Sequence, residues 1–355
     1  MRILGLETSC DETAAAVVEG GVRVLSSVVA SQHEIHAEYA GVVPELASRA
    51  HAERLVPVVR EALARAGVGL GMIDAVAVGH RPGLIGALLV GVSGAKALAW
   101  SLGVPLVGVD HVHAHLYAGV LRGEDEPAGT REDDSLFPAL GLVVSGGHTS
   151  LYEVDSWTRI RRLGATIDDA MGEAFDKAAA ILGVPFPGGP HLDALAEEAP
   201  AGAALVEFPV SRLGRESLDF SFSGLKTALL YAVRGVPGER TKTPPPPALT
   251  EDRRRVLAAS FRKAACDAAI LKVSRAFERA SPRPRALLVG GGVVANRLLR
   301  RELAAFASAR GMTLVMPPHA WCVDNAAMIG GLAHVLRREG RAADLSLRAE
   351  PTTAC

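Results

Sequence analysis

RILGLETSCDETAAAVV (residues 2–18) decides the fold, because its layout returns as ALGLVVSGGHTSLYEV (residues 139–154). In each, an apolar run gives way to small polar residues and then resumes, as two strands joined by a tight turn require. The segments after them match as well. Downstream of the first hairpin come helical apolar spacing over residues 50–66, ended by Gly67, and a strand at 73–78. A Gly/Pro turn at 79–83, a long helix and a strand at 106–109 follow. Downstream of the second come a helix over 255–280, a strand at 286–289, a turn at Gly290–Gly292, a helix over 296–310 and a strand at 313–316. A layout repeated in this order predicts two α/β lobes of one design with a cleft between them.

Composition agrees with that class. The chain has 355 residues, enough for about two domains of ~150, with 49% hydrophobic and 22% charged residues. Such a balance excludes a chain that is disordered throughout. Aromatics are only 5%, so Ala, Val and Leu must build the core. A formal net charge of -1 neither requires nor forbids a nucleic-acid surface, since a basic stripe can hide in a balanced total. Cys10, Cys266, Cys322 and Cys355 form no C-x-x-C pair, which argues against a disulfide framework or zinc ribbon and for a reducing, cytoplasmic compartment. No charged n-region with a long apolar stretch precedes the first strand, so no secretory signal is expected. The window 84–109 is interrupted by Lys96 and Pro105 and is read as too broken to span a bilayer. Residues 123–135 and 235–252, the latter with prolines at 244–247, read as exposed loop or linker. Helical material is expected at 167–196 and 218–233.

The sharpest chemical signal is DHVHAH (110–115). If the segment is helical, His111 and His115 are an i, i+4 pair with Cβ atoms ~5–6 Å apart, suited to two imidazoles on one metal at ~2.0–2.1 Å. Capping or packing at a strand–helix junction is the other reading. The motif lacks the glutamate of H-E-x-x-H, so a zincin's base is missing. A third, anionic ligand could be Asp324, 209 residues beyond His115 and otherwise an N-cap, but only a cleft would bring it there. Turns at Ser145–Gly147, Pro187–Gly189 and Gly290–Gly292 could each cradle an anion or be tight turns without a ligand. Acidic residues at 169, 173 and 176 follow helical spacing and fit a solvated face or a pocket rim. Asp11 and Glu12 fit a turn or a general base.

Nine blocks resemble, in order, the TsaD family of bacterial tRNA N6-adenosine threonylcarbamoyltransferases, once labelled glycoproteases. They are GLETSCDET (5–13), GVVPELASRAH (41–51), HVHAH (111–115), VVSGGHT (143–149), IDDAMGEAFDK (167–177), PGGP (187–190), LDFSFSGLKTA (218–228), GGVVANRLLR (291–300) and VDNAAMI (323–329). The resemblance implies the duplicated fold shared with actin, sugar kinases and heat-shock chaperone ATPases. On that template residues 1–112 form a first lobe and 113–324 a second, with a helical insertion at about 157–250. Helix 325–341 packs back on the first lobe, and 342–355 is a tail of no readable function. It also implies transfer of a threonylcarbamoyl group from threonylcarbamoyl-AMP to N6 of the adenosine 3′ of the anticodon in tRNAs reading codons that begin with A.

By matched positions, His111, His115 and Asp324 would hold one divalent metal ion, iron first and zinc as the alternative. Val143, Val144, Ser145, Gly146, Gly147, Asp176, Gly189, Asp193 and Asn296 would contact the adenylate, and Asp11 or Glu12 is the candidate proton acceptor. Implied partners are tRNA, a paralogous actin-fold subunit (TsaB-like) and a small ATPase (TsaE-like), with no membrane. Basic runs at 159–162, 253–255 and 297–301 are candidates for the tRNA surface. Many members have Glu-Gly where this chain has His113-Ala114, and Gly-Pro-Gly where it has Arg81-Pro82-Gly83. A metallopeptidase and a non-catalytic nucleotide-binding subunit are the competing expectations.

Overall fold

The computed structural model describes residues 1–39, 41–123, 134–211, 213–236 and 246–352. In chain order the first half contains β1 (Arg2–Glu7), β2 (Glu12–Glu19), β3 (Arg23–Ser31), α1 (His33–Ala37), α2 (Pro44–Arg65), β4 (Ala75–Arg81), α3 (Ile85–Leu102), β5 (Leu106–Asp110) and α4 (His111–Tyr117). Then follow β6 (Ala139–Val144), β7 (Thr149–Ser156), β8 (Arg159–Ala165), α5 (Met171–Ile181), α6 (Gly188–Glu197), α7 (Ser223–Arg234) and α8 (Glu251–Arg279). The chain closes with β9 (Ala286–Gly290), α9 (Arg297–Ala309), β10 (Thr313–Val315) and α10 (Ala326–Arg338).

The repeat is real in three dimensions. One five-stranded sheet has the order β3-β2-β1-β4-β5 and the other β10-β9-β6-β7-β8, the same order read from opposite ends. β1 pairs antiparallel with β2 and parallel with β4, and β6 pairs antiparallel with β7 and parallel with β9. Alternation along β1 sorts its side chains to two faces. Leu4 and Leu6 pack with Leu55, Val59 and Val92 of α2 and α3, while Ile3 faces the core of α4 and α10. That middle core also takes Val143 and Leu288 from the second sheet. The other face of the second sheet is covered by α5, α6, α8 and α9 through Phe175, Leu192, Phe261 and Leu303. The layers are therefore helix, sheet, helix, sheet, helix, with α4 and α10 in the middle.

Several expectations need correction. Each hairpin gains a third strand, β3 and β8, and β8 contains the Arg-rich run 159–162, inside the span expected as a helical insertion. An edge strand is where charged side chains are favoured, since they block pairing with another chain. Helices in that insertion begin only at Met171. α2 and α8 start earlier than expected, at Pro44 and Glu251, because Pro fits the first helical turn and the Thr250 side chain caps α8. Pro105 lies beyond the end of α3, so it does not interrupt that helix, which carries only Lys96 as a charge. α3 is long and apolar enough to cross a membrane by length and composition alone, with 33% of it buried here. Of the two segments expected as loop or linker, residues 124–133 and 237–245, the latter with the first two prolines of its run, lie outside the described residues.

Candidate functional site

α4 starts directly at the C-terminal end of β5. Asp110 caps it, one carboxylate oxygen accepting the N–H of Val112 (3.0 Å) and His113 (3.2 Å). The helix places His111 and His115 side by side, ring centroids 4.7 Å apart and nearly perpendicular. His111 is 3% exposed and His115 fully buried. At the far end of the second half, α10 is capped by Asn325, whose side-chain oxygen accepts the Met328 N–H at 2.9 Å. Asp324, expected as a possible cap, is thereby free to point elsewhere. Its Oδ1 lies 3.1 Å from His115 Nε2 and 3.5 Å from His111 Nε2. Ligand atoms of these three residues all fall within 4.8 Å of one another.

The donor set fits a divalent ion. Two imidazole nitrogens and one carboxylate oxygen converge from two elements, and three protein ligands leave further positions open. His111 also has an outer partner: Nδ1 is 3.0 Å from Glu7 Oε2 and 3.2 Å from Ser9 Oγ. A carboxylate on the far nitrogen fixes which nitrogen faces the centre, as histidine metal ligands require. Glu7 is fully buried at the end of β1, after the apolar run 3–6, and it also takes the Ser9 N–H at 2.6 Å. The second sheet closes in as well. A Cβ on Gly290 would come within 2.1 Å of the His115 carbonyl oxygen, so only glycine lets β9 approach α4 this closely.

Electrostatics follow from this crowding. Burial opposes charge on His111, but the Glu7 and Asp324 carboxylates outweigh it and raise the group to about 9. Burial also disfavours the Asp324 carboxylate, and the two facing imidazoles outweigh it, holding the carboxyl well below the usual range. His115 is lowered by burial first, with His111 adding to the effect. A third imidazole senses the site: burial, then His111 and His115, push His148 down to about 4.

The candidates on the second half form one linked rim. Val143 and Val144 end β6, and the turn after it is closed by Ser145 N–H on His148 O (2.7 Å) and His148 N–H on Ser145 Oγ (3.1 Å). Gly172 of α5 donates to Ser145 O at 3.1 Å. Asp176, one turn later, accepts the N–H groups of Gly188 (2.8 Å) and Gly189 (3.1 Å) and so occupies the start of α6. Burial raises the Asp176 carboxyl, against those two donors. Asp193 accepts Arg262 Nη1 at 2.8 Å and lies 3.4 Å from the N–H of Arg297, next to Asn296, which caps α9. Asp168 and Asp169 do not join the rim. Asp168 takes bonds from Ser221, Phe222 and Ser223, and Asp169 pairs with Lys177 and Lys226, so both tie α7 to α5.

Asp11 and Glu12 stand on the facing edge, 3.7 and 3.5 Å from His33 Nε2. Glu12 is held well above the usual carboxylate range by burial first, then by Asp324 and Asp11. The His33 ring meets Phe186, before α6, edge-on at 6.0 Å and so links the first half to the second. Sequence reasoning missed Glu7, His33, His148 and Arg262. Glu7 alone left a trace, a carboxylate closing an apolar run; the others acquire meaning only from residues distant in sequence.

Comparison with known proteins places the chain. The family model described as "TsaD: tRNA N6-adenosine threonylcarbamoyltransferase" matches residues 23–331. Proteins named tRNA N6-adenosine threonylcarbamoyltransferase from Pelobacter propionicus and Sorangium cellulosum are 48% and 49% identical, covering 98% and 100% of this chain and 95% and 97% of theirs. One from Anaeromyxobacter dehalogenans is 50% identical over 97% of each chain. Among solved structures, HypF from T. kodakarensis superposes with a TM-score of 0.56 at 16% identity, covering 98% of this chain and 49% of HypF. The activator of 2-hydroxyisocaproyl-CoA dehydratase from Clostridium difficile, solved with bound ADPNP, gives 0.51 at 13% identity over 96% of this chain and 97% of its own. At those identities the two structures speak for the fold alone, the duplicated actin-like architecture. Family match and full-length relatives together show that this chain belongs to the TsaD family of tRNA N6-adenosine threonylcarbamoyltransferases, tRNA-modifying transferases.

Proposed function

We propose that the chain moves the threonylcarbamoyl group of threonylcarbamoyl-AMP onto N6 of the adenosine 3′ of the anticodon, in tRNAs reading codons that begin with A, with release of AMP. His111, His115 and Asp324 hold one divalent ion, iron in the first place and zinc as the alternative. The observation that carries this is the meeting of Asp324 with two buried imidazoles across 209 residues of sequence, 3.1 Å from the nearer one.

The adenine amine is a weak nucleophile because its lone pair is delocalised into the ring. The donor is a mixed anhydride with AMP as leaving group, so the protein's work is orientation and charge stabilisation. When bound, the ion supplies a Lewis acid for the donor's carbonyl and a seat for its threonyl part. Ser145 has its own N–H engaged by His148, so Gly146 and Gly147, both exposed, are the amides assigned to the phosphate. Asp193, clamped by Arg262, and Asn296 lie together where the ribose and base of the adenylate are assigned. Glu12 or Asp11 takes the amine's proton; a carboxyl raised above the usual carboxylate range is the stronger base once ionised, which favours Glu12. The buried Glu7 sits on the outer nitrogen of His111, away from Asp324, and so orients that ring rather than meeting substrate.

The partners in this proposal are a TsaB-like paralogous subunit and a TsaE-like ATPase, and the compartment is the cytoplasm. The test is nucleoside mass spectrometry of unmodified tRNA incubated with the chain, its partners and threonylcarbamoyl-AMP. Threonylcarbamoyladenosine is expected with the parent chain and none with a folded Asp324→Ala variant. Undiminished product from that variant would refute the assignment.

A further inference from the structure

The last described residues return to the site. After α10, Ala343 pairs with Leu106 of β5, its N–H donating to Leu106 O at 2.8 Å. Leu347 packs over Gly108, where a Cβ would come within 2.7 Å of Leu347 Cδ1, so the tail lies directly on the strand. Glu350 N–H donates to His80 O at 2.9 Å, and Gly83 N–H to Pro351 O at 3.3 Å. His80 Nδ1 is 3.0 Å from Arg348 O. Residues 343–351 thus form a strap that runs along β5 and reaches the end of β4.

Arg81 joins this strap to α4. Its Nη1 is 3.2 Å from Glu350 Oε2 and its Nε is 3.2 Å from Asp110 Oδ2. Asp110 Oδ1 is already engaged in capping α4, so both oxygens of this buried carboxylate are used. α4 has only seven residues. A helix of that length has little stability of its own, and its cap and its packing decide where it points. A guanidinium shared between two carboxylates holds both in a defined geometry.

We propose that Glu350, Arg81 and Asp110 form a relay through which the C-terminal tail holds α4, and with it His111 and His115, in ligand geometry. Arg81 and Glu350 are then positioning residues for the metal centre. The relay rests on the reading of the two histidines as ligands. It gives a function to the tail and to Arg81, which stands where many members of the family have glycine.

The test uses the full chain, stripped of metal, as parent, Arg81→Ala, Glu350→Ala and the double variant. Zinc affinity is measured by competition with a chelator, and amide hydrogen exchange is followed at Val112 and His113. Arg81→Ala is expected to weaken zinc binding roughly tenfold, the lower end of the ~10–100-fold typical of outer-shell partners. Glu350→Ala is expected to weaken it less, and the double variant to match Arg81→Ala rather than exceed it. All three should exchange faster at Val112 and His113. Parent-like zinc affinity with faster exchange only at 343–351 would reduce the strap to a stabilising contact and overturn the relay, as would losses that simply add. Failure of the parent to bind zinc would count against the metal reading, and exchange at Val112 and His113 would then decide the relay alone.

Discussion

Glu7 shows what a single residue contributes here. It is a buried carboxyl whose partners are the His111 ring and the Ser9 N–H, so it is held where it orients that ring. Glu7→Gln keeps the shape and removes the charge, and metal affinity should fall by the ~10–100-fold typical of such partners, read by chelator competition. A parent-like affinity would show that Glu7 serves only the strand. His111 and His115 were legible from their i, i+4 spacing, which needs no tertiary information beyond a helix. Asp324 was legible as a candidate third ligand or as a cap, with nothing local to choose between them; its release depends on Asn325 taking the capping role. His148 gave no signal, because an imidazole after a Gly-Gly turn means nothing until α4 is packed beside it.

At the level of elements, caps decide positions. Asn325 holds the start of α10, and Asn325→Ala should lower stability by about 1 kcal/mol, measured by denaturant unfolding. It should also weaken metal binding, since Asp324 becomes the nearest substitute cap. A stability loss with unchanged metal affinity would mean that Asp324 keeps its place without Asn325. The link between α5 and α7 gives a pH test. Burial pushes the Asp168 carboxyl up, but donors from Ser221, Phe222 and Ser223 outweigh it and hold it below the usual range. A carboxylate so depressed stabilises the fold above its unfolded pKa of ~3.9 and loses that contribution as pH falls through the folded value. Asp168 is exposed, so solvent screens this contribution, and Asp168→Asn should cost at most about 0.5 kcal/mol at neutral pH, with the gap to the parent closing below about pH 4. A gap independent of pH would contradict the charge-based account. Helix ends and the strands β3 and β8 were the elements least legible. Arg159, Arg161 and Arg162 carry a helix-neutral, charged pattern, and only pairing with β7 makes them a strand.

For the whole molecule, the repeated hairpin–helix–strand order was enough to foresee two equivalent sheets, since each copy buries an apolar strand pair under its own helices. The convergence of the copies was not readable. It depends on α10 crossing back to β1 and β2, and on β9 fitting against His115 through Gly290, contacts between residues far apart in sequence. The tail illustrates the same limit: residues 343–351 have no pattern of their own and acquire meaning from β4, β5 and Arg81.

That convergence is tested most directly by the metal content of the purified chain, measured by elemental analysis in parallel with His111→Ala, His115→Ala and Asp324→Ala proteins whose folding is verified by circular dichroism. One divalent ion per parent chain, lost from each of the three variants, is the predicted result. Full metal content in Asp324→Ala would contradict the claim that both halves of the chain share a single centre.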